Sequence, residues 1–197
     1  MNPAEPSGKA LNAVRLAHLI VSSRLGEGGI AMDATAGNGY DTVFLARLVG
    51  SSGRVYAVDI QPVAIESTRA RLEIETLSDR VRLRTGGHEN LRALLPEVPD
   101  GCAEVVMFNL GYLPGSDKTF ITRTETTLSA LEEALRLLAD SGVLTVVCYP
   151  GHAGGSSEAG RVCEWANGLP SDRFAVTICR TANGPEHSPF LTVVEKR

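Results

Sequence analysis

The chain predicts an α/β fold: one mostly parallel sheet of seven strands, helices on both faces, and an antiparallel hairpin at the end. Three observations lead there. Short, near-continuous apolar runs such as "GIAMDA", "AEVVMFNL" and "GVLTVVCYP" recur along the chain, the pattern of strands buried on both faces. Stretches with helical spacing lie between them, so strand and helix alternate. The final two runs, "FAVTICRT" and "FLTVVEKR", are joined by only about ten residues with no helical pattern, too few for a parallel crossover, so this pair should be antiparallel.

The elements follow in order. The first residues, 1–8, carry two prolines and should be loose. In "ALNAVRLAHLIVSSRL" the residues Leu11, Val14, Ala17, His18 and Val21 fall on one helical stripe. "GIAMDA" is the first strand, and a helix after Gly39 carries Val43, Phe44 and Leu48. "GRVYAVDI" is the second strand. Gln61 to Leu77 forms the next helix, with Pro62 in its first turn, where a missing N–H does no harm. "RVRLRTG" is the third strand, and a short helix follows around Leu91 to Leu95. "AEVVMFNL" is the fourth strand, Thr124 to Leu138 a helix, and "GVLTVVCYP" the fifth strand. A helix near Glu158 to Ala166 leads into the terminal hairpin.

Composition narrows the classes. The chain has 197 residues, enough for one domain with its own core, and no linker or repeat divides it. A net charge of −4 argues against gripping nucleic acid by bulk electrostatics, although a local patch could still reach RNA. Cys102, Cys148, Cys163 and Cys179 form no CxxC pair and no Cys/His zinc spacing. They read as reduced, mostly buried thiols, no metal site is expected, and the compartment expected is the cytoplasm. No run approaches the roughly 18 apolar residues of a membrane span.

The exit of the first strand carries the first chemical signal. In "DATAGNGYDT", Gly37 and Gly39 allow a tight turn and close approach of backbone to a ligand. Asp59 ends the second strand twenty residues beyond Gly39, placed to accept both ribose hydroxyls of an adenosine. A dinucleotide fingerprint would need a third Gly or Ala where Thr42 stands, and Asp41 would repel a pyrophosphate. The same acids suit a cationic sulfonium and its ammonium tail. Asp33 and Asp41 therefore favour S-adenosylmethionine over NAD, with backbone N–H groups near Asn38 and Gly39 for the carboxylate. Asp41 could also serve as a helix cap. In "TGGHEN" after the third strand, His88 and Glu89 are candidates for contacting the base; His88 could equally cap a helix.

The second signal is "VVMFNLGYLPGSDK", where a buried strand ends in Asn109, followed by Gly111 and Tyr112. Together with "DATAGNGYDT", "VYAVDIQ", "YPGH" and "SPF", this segment resembles the YtqB-like family of class I methyltransferases, which have a Rossmann-like fold. The family as a whole was once labelled as rRNA methylases, and some members methylate the aminomethyl group of modified uridine at the tRNA wobble position. The likeness runs from about Leu11 through nearly the whole chain.

Asn109-Leu110-Gly111-Tyr112 is similar to the Asn-Pro-Pro-Tyr signature of amino-methylating enzymes. There the Asn oxygen and the next carbonyl accept hydrogens from the target amine, and the aromatic ring packs on the acceptor group. Leu-Gly in place of Pro-Pro leaves more room, which suits an aliphatic aminomethyl group. Such an amine is mostly protonated near neutral pH, so a proton must leave before attack; Tyr112, Asp117, His152 and His187 are the candidates to accept or relay it.

The resemblance thus implies S-adenosylmethionine held by Asp33, Thr35, Gly37, Asn38, Gly39, Asp41, Thr42, Asp59, Ile60, Gln61, His88, Glu89 and Asn109. Catalysis would fall to Asn109, Tyr112, His152 and Asp117, with the tRNA anticodon loop (position 34) as partner and no membrane. Monomer and homodimer both stay open. Arg80, Arg82 and Arg84 could touch phosphates but fit an ordinary solvated strand face better, and His18 reads as a half-buried helix residue or a lid over the cofactor. The rival functions are methylation of rRNA or a small-molecule amine, an NAD-dependent oxidoreductase, and a module that binds the cofactor without catalysing.

Overall fold

The computed structural model describes residues 11–111, 124–152 and 154–197. The expected loose start, and Tyr112, Asp117 and Lys118, lie outside the described residues.

Seven strands form one sheet: β1 (Ile30–Asp33), β2 (Arg54–Asp59), β3 (Val81–Thr85), β4 (Ala103–Asn109), β5 (Leu138–Cys148), β6 (Phe174–Cys179) and β7 (Phe190–Lys196). Their order is β3-β2-β1-β4-β5-β7-β6. The pairs β1–β2, β1–β4, β2–β3 and β4–β5 are parallel, and β7 runs antiparallel to both β5 and β6. The hairpin expected from the short final loop is present, and β7 inserts between β5 and β6.

Among the described residues, six α-helices flank the sheet: α1 (Ala13–Ser22), α2 (Tyr40–Leu48), α3 (Pro62–Ile74), α4 (Leu91–Leu94), α5 (Thr124–Leu137) and α6 (Gly155–Asn167). Strand alternation divides the core between the two faces. Ala31, Val55, Ala57, Val105, Met107, Val143 and Val147 pack with Ala17, Val21, Leu45 and Leu72 from α1, α2 and α3. Met32, Val58, Val106, Phe108, Leu144 and Val146 pack with Leu91, Leu131 and Val162 from α4, α5 and α6. Both faces of β1, β4 and the central part of β5 are thus buried, which explains their lack of a polar alternation, whereas β3 at the sheet edge alternates.

Two boundaries differ from the sequence reading. Strand β5 starts at Leu138, directly after α5, and not at Gly142. Its polar opening is held by the far end of the sheet: Lys196 donates to the Leu138 carbonyl (2.8 Å) and pairs with Asp140 (3.3 Å). Ser141 sits at φ 63 where the β4–β5 register shifts, so a bulged start hides the strand from periodicity. Helix α3 stops at Ile74, short of Leu77, because Thr76 turns to φ 55. All four cysteines are free thiols as expected, but only Cys148 is buried; the other three are half-buried.

Candidate active site

Strands β1 and β4 are neighbours, yet the chain leaves β1 for β2 on the other side. The strand order reverses between them, and such a reversal opens a crevice at the carboxyl ends of the strands. Asp33 and Asn109 end these two strands. The exit loop of β1 is stitched to both neighbours: Ala34 N–H donates to the Met107 carbonyl and Ala36 N–H to the Val58 carbonyl, each at 2.9 Å.

The loop then turns through two left-handed glycines, Gly37 (φ 52) and Gly39 (φ 80). A side chain at Gly39 would be strained twice, by its φ and by a Cβ only 2.9 Å from the Thr68 Cα on α3. Helix α3 braces the loop from beneath. Thr68 Oγ1 donates to the Gly37 carbonyl (3.1 Å) and Arg71 Nε to the Asn38 carbonyl (2.7 Å), while Ser67 Oγ donates to Asn38 Oδ1 (3.3 Å). Sequence reading named neither Thr68 nor Arg71. Their spacing on one face of a helix gave no sign that a loop would lie on it.

Asp59 closes the other wall. It accepts from the Gly37 N–H and the Gln61 N–H, both at 2.9 Å. A carboxylate oxygen has two lone pairs, so this half-buried acid retains acceptor capacity toward the crevice. Ile60, beside it, is 57% exposed, an apolar face next to a ribose-sized acceptor. The third loop is tied in by Gly86 N–H to the Asp59 carbonyl (2.9 Å). On it His88 is buried, edge-on to Phe108 with ring centroids 5.9 Å apart. Burial holds the imidazole below its ordinary range, opposed by the charges of Glu89 and Asp59 and a bond to the Ala34 backbone. Glu89 is half-buried and accepts from Asn90 Nδ2 (3.3 Å).

A second cluster joins Asp33, Thr35, Asp41, Thr42 and Asn109. Asp33 is buried and accepts from Thr42 Oγ1 (2.5 Å) and the Thr35 N–H (3.1 Å). Burial, then the charge of Asp41, pushes its carboxyl up to about 7 against those two hydrogen bonds. Asp41, in the first turn of α2, binds His18 Nε2 through Oδ1 (2.7 Å) and accepts from Asn109 Nδ2 through Oδ2 (3.3 Å). The His18 ring lies flat on Phe44, centroids 3.8 Å apart and 6° from parallel. The Asn109 N–H donates to Thr35 Oγ1 (2.8 Å).

Tyr149, missed in the sequence, reaches the same point. Burial, then the charge of Asp41, holds its hydroxyl above the ordinary range, opposed by the neighbouring Asn109 side chain. Asn109 is paired with Val147 across β4–β5, so a residue two places further along β5 stands beside the amide. A Cβ at Gly111 would lie 3.6 Å from the Tyr149 ring, an ordinary contact, so crowding does not demand glycine there.

His152 lies in the turn before α6 with its ring over Gly155. The approach of the His187 carbonyl to Gly151, 3.4 Å from an added Cβ, brings the β6–β7 loop against that turn. The arginines before and along β3 are engaged within the chain: Arg80 donates to the Ala46 carbonyl (3.0 Å), Arg82 to the Val81 carbonyl (3.3 Å), and Arg84 pairs with Glu97 (2.9 Å). Among the described residues no cluster of acids, histidines and cysteines could hold a metal ion, and no helix is long and apolar enough to cross a membrane.

The donor set fits S-adenosylmethionine. Asp33 at the end of β1 is raised to about 7 by burial and by the charge of Asp41 at the head of α2, an arrangement that a cation relieves. A pyrophosphate would meet that same negative pair.

Comparison with known proteins points the same way. Residues 55–195 match the family described as "Putative rRNA methylase". The chain is 37% identical over 193 residues to the tRNA (mnm(5)s(2)U34)-methyltransferase of Arabidopsis thaliana chloroplasts, covering 94% of this chain and 69% of that one. A crystal structure of a "putative rRNA-methylase" from Clostridium thermocellum superposes with TM-score 0.90 at 40% identity, covering 96% of this chain and 100% of that one. A Streptococcus mutans "putative methyltransferase", solved in complex with SAH, gives TM-score 0.84 at 33% identity over 96% and 100% of the two chains. With the switch-point crevice, the paired glycines and the acid cluster in place, the chain belongs to this rRNA methylase family and is an S-adenosylmethionine-dependent methyltransferase.

Proposed function

We propose that the enzyme transfers a methyl group to the exocyclic aminomethyl nitrogen of the wobble uridine in tRNA. The observation that carries this reading is the placement of Asn109. A carboxamide with an anchored backbone ends β4 at the switch point, next to the acid cluster and beside the Tyr149 hydroxyl. The name of the Arabidopsis relative supports the choice of acceptor.

When bound, S-adenosylmethionine supplies a methyl carbon already activated by a sulfonium. The chain's own residues do the rest. Asp59, with the backbone of Gly37 and Gln61 fixed on it, would hold the ribose, and Ile60 the adenine face. Asp33 and Asp41 would place negative charge near the cationic groups. Asn109 Oδ1 and the Leu110 carbonyl accept hydrogens from the amine and so aim its lone pair. Alignment supplies most of the acceleration, because such a donor needs little further activation.

Two measurements test this. Mass spectrometry of tRNA nucleosides from a deletion strain should show unmethylated aminomethyluridine accumulating; an unchanged wobble nucleoside refutes the proposal. Purified enzyme should methylate that tRNA, and Asn109→Ala should lower turnover about 1,000-fold with cofactor affinity kept. Equal losses in both would remove Asn109 from its role. Methylation of rRNA or of a small-molecule amine is the rival within the family, and the same nucleoside analysis separates them.

A further inference from the structure

A primary amide has two ends of nearly the same shape and opposite chemistry. If Asn109 is to accept hydrogens from an amine, its oxygen must face the crevice; turned by 180°, the NH2 end would repel the same substrate. Local packing cannot distinguish the two orientations, because they fill the same volume. A group that only accepts hydrogen bonds can, by binding the NH2 end.

We infer that the His18–Asp41 pair is that device: it positions the Asn109 amide, with Asp41 fixing the NH2 end and His18 fixing Asp41. This rests on the reading of Asn109 as the group that receives the amine. Asp41 Oδ2 takes Asn109 Nδ2 at 3.3 Å, which leaves Oδ1 turned away from the carboxylate. The other oxygen, Oδ1, is held by His18 Nε2 at 2.7 Å. His18 cannot swing freely, because its ring is stacked flat on Phe44 at 3.8 Å. The Asp41 side chain is only 10% exposed and His18 29%, so water competes weakly for the inner bond. Helix α1 thereby belongs to the active site through one imidazole, although it precedes every strand of the sheet. Asp41 has both oxygens engaged inside the protein, which gives it a positioning role on Asn109 whatever charge it also presents to the cofactor.

The test uses the enzyme with four variants: Asn109→Ala, Asp41→Ala, the double variant, and His18→Phe, which keeps an aromatic ring against Phe44 and removes both imidazole nitrogens. Methyl transfer to tRNA carrying aminomethyluridine and calorimetric binding of SAH are measured on each. Asp41→Ala should cost about 100-fold in kcat and His18→Phe about tenfold, with SAH affinity held within about threefold for His18→Phe. The double variant should be no slower than Asn109→Ala alone, because Asp41 acts through that amide. Losses that multiply in the double variant, or an Asp41→Ala defect confined to SAH affinity, overturn the inference.

A substrate-independent readout separates the two proposals. In the unmodified enzyme the Asn109 Nδ2 protons should exchange slowly with water by NMR, and rapidly in Asp41→Ala and His18→Phe. Slow exchange lost in both variants upholds the positioning device even if tRNA is not methylated, in which case the substrate reading alone falls. Exchange that is rapid already in the unmodified enzyme, or unchanged by the variants, overturns the device.

Discussion

Asp33→Asn is the perturbation whose consequence the structure fixes most tightly. Asp33 is buried at the end of β1, and its carboxyl is pushed from an ordinary 3.8 up to about 7, first by burial and then by the charge of Asp41. The folded protein therefore binds the Asp33 proton more strongly than the unfolded chain does. Stability from this group is fully present below pH about 4 and is lost as pH rises through about 7. A shift of about three units corresponds to about 4 kcal/mol at pH 8, at roughly 1.4 kcal/mol per unit. Asparagine carries no charge but can accept fewer bonds, so one of those from Thr42 and Thr35 is weakened, at about 1 kcal/mol. Asp33→Asn should accordingly stabilise the fold by about 2 to 3 kcal/mol at pH 8 and by little or nothing at pH 5. Urea unfolding of both proteins across pH 5 to 8 measures the difference directly. A ΔΔG that does not change with pH would refute the account of Asp33 as a buried acid held under strain. The same variant should bind S-adenosylmethionine more weakly at pH 8, where the native carboxylate is available to a cation.

Three further outcomes follow from the geometry. Gly39→Ala combines a left-handed φ of 80 with a Cβ 2.9 Å from the Thr68 backbone; it should cost about 3 kcal/mol and lower Tm by about 6 to 12 °C, and a Tm within about 2 °C of the native value would contradict it. Asp59→Ala removes the acceptor shared by Gly37 and Gln61, so calorimetry should find SAH affinity reduced about 100-fold, and a loss under about threefold would dismiss Asp59 as a ribose ligand. Tyr149→Phe deletes the hydroxyl that interacts with the Asn109 side chain; kcat should fall about five- to tenfold with SAH affinity unchanged, and an unaltered kcat would detach Tyr149 from the site.

What could be read in one dimension was what strands and loops encode locally. Apolar runs bounded by glycines located β1, β2 and β4 because each is buried on both faces. The glycine pair and Asp59 were legible because the turn and the acid both need particular residue types. The start of β5 was not, since its first residues are polar and held by Lys196 from the other end of the chain. The sequence offers a phenol for the Asn109 amide at Tyr112, three residues on. The structure brings a second phenol, Tyr149, to the same amide, because β4 and β5 pair in a register that carries it past Asn109. Tyr112 itself lies outside the described residues. His18 appeared as a residue of α1 with an open choice of roles; its partner Asp41 comes from another element, and no spacing rule connects a helix face to the head of a second helix.

With the cofactor placed as proposed, the acid cluster would hold its cationic groups without a dedicated ion pair. Asp41 has both oxygens bonded, to His18 and Asn109, so its geometry is set by neighbours and not by a ligand. Asp33 is bonded to Thr42 and to the Thr35 backbone, yet burial and the charge of Asp41 still raise it to about 7. One acid is therefore structurally committed while the other holds a proton that it can give up near neutral pH. A cation entering beside them favours the ionised form of Asp33 and expels that proton, so cofactor binding and Asp33 ionisation are linked. Below pH about 7, binding should release close to one proton; above it, fewer. Calorimetry in buffers of different ionisation enthalpy counts that proton, and Asp33→Asn should abolish it. Proton release that persists in the variant would place the titrating group elsewhere and sever the link between the buried carboxyl and the donor's charge.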